Sequence, residues 1–275
     1  MQELPEALTL AAQYRDTVRG RRICSAEANH TPHGFAFYWG DPQAYGDLLT
    51  GQVLEDAHAH GMFVTLHAGD MCIIAGDGAR ARYFAPGEAL PDRHQLCITL
   101  DDGAAIVWTI QMYGMLWAHP GQPMDNQYYR IACEKPSPLT EAFDQPYFES
   151  IVRAASPKLS AKALLATEQR IPGLGNGTLQ DILYRTGIHP KRKVGELTDA
   201  QLSQLYLGVK ELLAEMTALG GRDTERSLFG KPGGYITRLS SKTWQQPCLQ
   251  CGGAITRQAY MGGNVYFCAT CQPLS

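Results

Sequence analysis

The last thirty residues constrain this chain most. They contain "CLQCGGAITRQAYMGGNVYFCATC", a C-x2-C-x16-C-x2-C pattern made by Cys248, Cys251, Cys268 and Cys271. Two thiolates two residues apart can share one ion, because the tight turn between them directs both sulfurs inward. Two such knuckles close a tetrahedral sulfur shell. Between them, "AITRQAY" and "NVYFC" flank "MGG" and predict a β-hairpin. The expected cofactor is one structural Zn2+, since four thiolates leave no open position for catalysis. A disulfide pair or redox site is the competing reading, and paired knuckles in a cytosolic chain argue against it.

The start of the chain has no basic stretch followed by an apolar core, so no signal peptide is expected. No run approaches the ~20 apolar residues of a membrane helix. The expectation is a cytoplasmic protein with no membrane partner. The other cysteines, Cys24, Cys72, Cys97 and Cys133, lie in apolar, strand-like text and read as buried free thiols.

The net charge of −3 hides an asymmetry. Residues 1–150 carry 9 Lys and Arg against 19 Asp and Glu, a balance of −10, while residues 151–275 carry 15 against 8, a balance of +7. A basic half on an acidic chain points to an anionic partner for that half.

The pattern of the chain changes along its length. Residues 3–19 read as a helix, with Leu4, Leu8, Ala11 and Ala12 at helical spacing and Glu3 and Glu6 favouring its start. From about 22 to 132, short β-rich runs are separated by Gly, Asp and Pro, which suggests a sandwich or barrel. "EKPSPLTEAF" breaks the periodicity and reads as a linker. Helical text follows. Its clearest element has a Thr198–Gln201 capping box, an apolar face of Leu202, Leu205, Val209, Leu212, Leu213 and Met216, and a stop at Gly220 and Gly221. The expected fold class is α+β and multidomain. It comprises an N-terminal helix and β-sandwich (1–133), a linker (134–145), a helical domain (146–245) and the cysteine hairpin (246–275).

Two further places carry candidate chemistry. "GLGNG" (173–177) sits between helices without the Lys-Ser/Thr of a nucleotide-hydrolase phosphate loop. With Asn176 at a helix start, its free backbone N–H groups suit a phosphate, although an ordinary helix cap explains them as well. "RTGIHPKRK" then supplies Arg185, Lys191, Arg192 and Lys193 beside the next turn, as a nucleic-acid backbone surface would. His58 and His60 have no third ligand near in sequence and read as strand surface residues.

Three features coincide: an N-terminal "ELPE" leading a helix, "PGLGN…GIHP" in mid-chain and the terminal cysteine hairpin. Together, and over essentially the whole chain, they resemble the formamidopyrimidine-DNA glycosylase/endonuclease VIII family of oxidised-base repair enzymes. The resemblance implies a helix–two-turn–helix domain, a zinc hairpin and double-stranded damaged DNA held between the halves of a monomer. In that family an N-terminal proline amine attacks the sugar C1′ of a flipped nucleotide, a neighbouring glutamate shuttles protons, and β- and δ-elimination cut the strand. Glu3 matches the glutamate and Asn176 the phosphate-binding asparagine of the "GLGN" turn. Lys162 falls where the family often carries a lysine before this turn, and all four metal ligands match.

Other positions depart. Gln2 stands in place of the proline nucleophile, Met62 in place of a β-domain lysine, and Gly263 in place of the hairpin arginine. The run that fills the space left by the flipped base reads "TIQMYG", with Tyr113 as its intercalator candidate. Methionine is poorly removed before a bulky residue, so Met1 is expected to stay and displace the terminal amine. An N-terminal glutamine, were Met1 lost, would cyclise. Both routes predict weak or absent lyase activity, with Glu3 left to activate water. The expected function is therefore removal of oxidised bases in the manner of endonuclease VIII. The alternative is a non-catalytic protein that binds damaged DNA or structured nucleic acid on the same scaffold. "GGRDTERSLFGKPGGY" (220–235) lies where the family has a mobile loop, where Arg222 and Asp223 would either read base edges or tie the loop by ion pairs.

Overall fold

The computed structural model describes residues 1–274. Helix α1 (Leu4–Val18) opens the chain, with Pro5 in its first turn. Its N-cap is Glu3, whose backbone N–H donates to the Glu6 carboxylate at 3.0 Å, one arm of a capping box. Leu4, Ala7, Leu10, Ala11, Tyr14 and Val18 are buried along one side.

Seven strands follow: β1 (Ile23–Ala28), β2 (Ala36–Tyr38), β3 (Leu54–His60), β4 (Phe63–Ala68), β5 (Met71–Phe84), β6 (Leu96–Leu100) and β7 (Ala105–Pro120), with the short helix α2 (Tyr45–Leu49) after β2. They form one hydrogen-bonded sheet in the order β1-β6-β7-β5-β4-β3, with β2 parallel to β7. The long strands β5 and β7 pair from Met71↔Pro120 to Phe84↔Ala105, and their register shifts between Asp77 and Ala79. That bulge bends both strands, and the sheet folds over as a sandwich. Its interior holds Ile23, Leu66, Ile73, Ile98, Ile106, Trp108 and Leu116, closed on one side by α1. The expected thiol burial holds for Cys72 and Cys97, whereas Cys133 is half-buried and Cys24, on the outer face of edge strand β1, is exposed.

Helix α3 (Gln127–Glu134) ends the β-rich part. After an irregular stretch come α4 (Gln145–Ala154), α5 (Ala161–Ala166), α6 (Thr178–Arg185) and α7 (Asp199–Ala218). Helix α4 begins at Gln145, because Asp144 caps it and Pro146 sits in its first turn. Helix α5 stops at Ala166, and Glu168 and Gln169 beyond it take left-handed φ of 56° and 44°. Helix α7 forms as its pattern predicts: Thr198 N donates to Gln201 Oε1 at 3.0 Å, and Gly220 and Gly221 leave the helix at φ 75° and 90°. Its buried face packs on α6, and Leu4 of α1 enters the same core. Strands β8 (Ile255–Tyr260) and β9 (Gly263–Cys268) form the expected hairpin between the cysteine knuckles. Among the described residues, no helix is long and apolar enough to cross a membrane.

The sandwich meets the helical part where two glycines touch. A Cβ on Gly173, which has φ 80°, would lie 2.5 Å from the Gly61 carbonyl carbon in the β3–β4 turn. Backbone cannot yield there as a flexible side chain would. Gly173→Ala is expected to cost about 1–3 kcal/mol, measured by urea denaturation, while an alanine at the uncrowded Gly34, whose φ is not left-handed, should have little effect.

Candidate nucleic-acid cleft

A cleft of about 460 Å3 lies between the sandwich and the helical part. Its walls include Met1, Gln2 and Glu3, then Met62, Asp77 and Tyr113, then Gly175, Asn176 and Gly177, then Arg222 and Glu225. The chain start is thus built into the cleft. The Leu4 N–H donates to Gly173 O at 2.8 Å, and the Gln2 side-chain amide donates to Met62 O at 2.6 Å. The Met1 ammonium sits 2.7 Å from Glu225 Oε1.

Glu3 is buried at the floor, at the start of α6. Its Oε1 accepts from Gly177 N at 2.7 Å, and its Oε2 accepts from Gly175 N at 3.1 Å, Thr178 N at 2.9 Å and Thr178 Oγ1 at 2.6 Å. The helix N-terminus that the sequence offered to a phosphate is therefore occupied by a carboxylate of the chain itself, which satisfies the same N–H groups and the helix dipole. The glycines are required. A Cβ at Gly175 would lie 2.7 Å from Glu3 Cδ, and one at Gly177 would strike the Arg222 guanidinium.

Arg222 closes the network. It is 2 % exposed and lies between two carboxylates: Nη2 donates to Glu6 Oε2 at 2.7 Å, Nε to Glu6 Oε1 at 3.0 Å and Nη1 to Glu3 Oε1 at 3.4 Å. Of the two roles the sequence left open for Arg222, the structure assigns the ion pair. Asp223 likewise faces inward, accepting from Thr237 N at 3.1 Å and Thr237 Oγ1 at 2.9 Å. Burial alone would raise the Glu3 carboxyl. The Arg222 charge and the Thr178 and Gly177 donors outweigh it and hold Glu3 below its ordinary value.

Asp77 stands on the sandwich wall in left-handed backbone, φ 55°, at the bulge of β5. Burial raises its carboxyl, and burial together with the Asp77 charge raises the Tyr113 hydroxyl beside it. Tyr113 lines the cleft.

Asn176 lies at the cleft edge and donates to Asn264 O of β9 at 3.1 Å. Gly263 packs against it, and a Cβ there would lie 3.4 Å from Asn176 Nδ2. The other basic candidates do not line the cleft. Lys162 is buried, and its ammonium donates to Tyr260 O at 2.6 Å in the hairpin turn. Arg185 pairs with Glu211 and Glu215, both at 3.1 Å, and Lys193 with Glu196 at 3.6 Å. Lys191 lies over the Tyr260 ring at 5.1 Å, and Arg192 donates to Leu274 O at 3.2 Å. These cations dock the hairpin and tie helices, because carbonyls and carboxylates of the fold reach them first. Glu225 and Asp77 are cleft residues the sequence did not single out, and neither did it single out Thr178, which is buried beneath the cleft and donates to Glu3.

The cysteine knuckles converge as expected. Cys248 and Cys271 Sγ lie 3.7 Å apart and Cys251 and Cys268 Sγ 3.5 Å apart, all four within the span of one ion. The Tyr184 hydroxyl of α6 is 3.2 Å from Cys248 Sγ. The donor set fits a tetrahedral metal. His58 instead sits 3.2 Å from Asp56, on the surface of β3.

No family model matches the chain. It is 25% identical over 280 residues to the formamidopyrimidine-DNA glycosylase of Bacillus subtilis (strain 168), covering 99% of both chains. It is 28% identical over 286 residues to that of Alkalilimnicola ehrlichii, covering 99% of this chain and all of the other. The MutM (Fpg) protein of Thermus thermophilus has the same fold with a TM-score of 0.80 at 26% identity over 98% of both chains. So does a Lactococcus lactis Fpg in complex with abasic-site DNA, with a TM-score of 0.83 at 22% identity, over 98% of this chain and 99% of that one.

Two measurements check the network. Arg222→Met leaves Glu3 and Glu6 buried without their counter-charge and is expected to cost about 3–5 kcal/mol by urea denaturation. Because the folded-state pKa of Glu3 lies below its ordinary value of 4.5, its stabilisation is present above that pH and is lost as pH falls below it. In Glu3→Gln, the fall of Tm between about pH 5 and 3 should be shallower than in the parent.

Proposed function

We propose that the chain is a divergent member of the formamidopyrimidine-DNA glycosylase family and that it removes oxidised bases from double-stranded DNA by hydrolysing the N-glycosidic bond, with a weak or absent lyase step. The observation that carries this reading is the buried carboxylate of Glu3 at the floor of the cleft, beside the chain start. Held ionised below its ordinary pKa, Glu3 is a base and not a proton donor near neutral pH. Two carboxylates, Glu3 and Glu6, surround the single guanidinium of Arg222, which leaves one negative charge at the floor. Such a charge stabilises the positive charge that develops on a sugar C1′ as a base departs, and Glu3 orients and deprotonates the attacking water.

The lyase step is weak for a geometric reason. A Schiff base needs an amine lone pair, and the Met1 ammonium instead donates to Glu225, one residue ahead of the place the family's proline occupies. Gln2 has its amide on Met62 O. Neither supplies a nucleophile to the sugar.

Asn176 and Tyr113 are the DNA contacts of this reading, the first to a phosphate at the cleft edge and the second stacking into the duplex. The basic turn of Lys191, Arg192 and Lys193, with Arg185, gives at most peripheral backbone contact. The four cysteines hold one structural Zn2+, which fixes the hairpin that carries β9 to the cleft. The protein acts as a cytoplasmic monomer. A second reading, damage recognition without cleavage, is favoured by one observation: every oxygen of the Glu3 carboxylate already accepts hydrogen bonds from the chain.

A single-turnover assay separates the two. Duplexes carrying an oxidised purine, an oxidised pyrimidine or an abasic site are read with and without alkali. The expected result is product from the oxidised bases only after alkali, reduced at least about 100-fold in Glu3→Gln. Product without alkali would mean that the Met1 amine attacks. No product with binding intact would establish the second reading. Chelation of the metal should abolish binding to all three duplexes in gel-shift titrations and lower Tm, as the hairpin loses its closed shell.

A further inference from the structure

Far from the cysteine knuckles, Glu27, His30 and His94 bring three ligand atoms within 4.8 Å of one another. The backbone builds this cluster. Strand β1 ends at Ala28, and Asn29 takes left-handed φ of 59°, which turns the chain back on itself. Asn29 N then donates to Gln95 O at 2.7 Å, Thr31 N to His94 O at 2.9 Å and the Gln95 side-chain amide to Thr31 O at 3.0 Å. His30 is thereby held over His94, with its Nδ1 2.9 Å from Glu27 Oε1.

His94 supplies the independent observation. It is 7 % exposed, and its Nδ1 lies 3.1 Å from Pro91 O. Donation to that carbonyl puts the proton on Nδ1 and leaves a lone pair on Nε2. That Nε2 is buried and has no hydrogen-bond partner. A buried acceptor left unmade is costly, and a histidine that gives one ring N–H to a backbone carbonyl and offers the other nitrogen bare has the arrangement of a metal ligand. The acidic balance of residues 1–150 adds a field that attracts cations.

We propose that Glu27, His30 and His94 form a second metal site, for a borderline divalent cation of the zinc or nickel class, with water completing its shell. Two imidazoles and a carboxylate suit such ions. The rings of His30 and His94 now lie parallel, centroids 4.3 Å apart and planes 4° apart. An ion lies in the plane of each imidazole it binds, so binding turns His30 out of the stack. Its side chain is 42% exposed, so the ring has solvent to turn into once its 2.9 Å contact with Glu27 is given up to the ion. This site is independent of the cleft and of the reaction proposed for it.

The test counts metal on the full chain with its cysteine site already loaded. After dialysis against micromolar zinc at neutral pH, atomic emission should give a second equivalent per chain. His30→Ala, an exposed substitution, should lose that equivalent and keep the first, as should Glu27→Gln combined with His94→Gln. In the parent, zinc should shift two histidine ring signals by NMR, and nickel should compete for the same two. A single equivalent in the parent, or a second one that survives in His30→Ala, would overturn the proposal.

Discussion

The molecule depends on one anion held at the start of a helix. Glu3 puts its carboxylate on the backbone N–H groups of Gly175, Gly177 and Thr178, and Arg222 reaches the same carboxylate from the loop after α7. That single group joins residues 219 positions apart and brings chain start, "GLGNG" turn and loop to one place. Each element alone would be weakly held. The first residues of a chain fray, glycine-rich turns are permissive and long loops move. Where they meet, Glu3, Glu6 and Arg222 are buried, and the desolvation of these three charged groups is offset by the hydrogen bonds and ion pairs among them.

The same network of internal pairing explains why a basic half does not make a basic cleft. Residues 151–275 carry a surplus of cations, yet Lys162 holds the hairpin turn through carbonyl oxygens and Arg185 answers two glutamates on α7. Gln180 completes the docking of the hairpin, donating to Asn264 O and accepting from Tyr266 N. Charge counted along a sequence measures what a region contains; the fold decides how much of it faces outward. The cleft is consequently sparse in cations, and base stacking and shape must carry more of any nucleic-acid recognition than phosphate pairing does.

Much of the fold was legible because its signals are local. The capping box at Thr198, the apolar face from Leu205 to Met216 and the cysteine spacing each act within a few residues, and each produced its element. Glu3 and Tyr113 both line the cleft. The helix start at "GLGNG" was taken by Glu3 and not left for a phosphate, because its partner lies 172 positions away. Asp77 was passed over for a similar reason: its place depends on a bulge where β5 pairs with the distant strand β7.

The sequence by itself determined the element types, the four-cysteine hairpin and the identity of the groups available at the chain start, since these follow from spacing and side-chain chemistry. Tertiary structure decided which groups those side chains meet. It committed Glu3 to a helix cap and Arg222 to two carboxylates, because the pairing of buried charges is set by proximity across the fold and by the cost of leaving any of them unmatched, and it set the exposed Met1 ammonium beside Glu225.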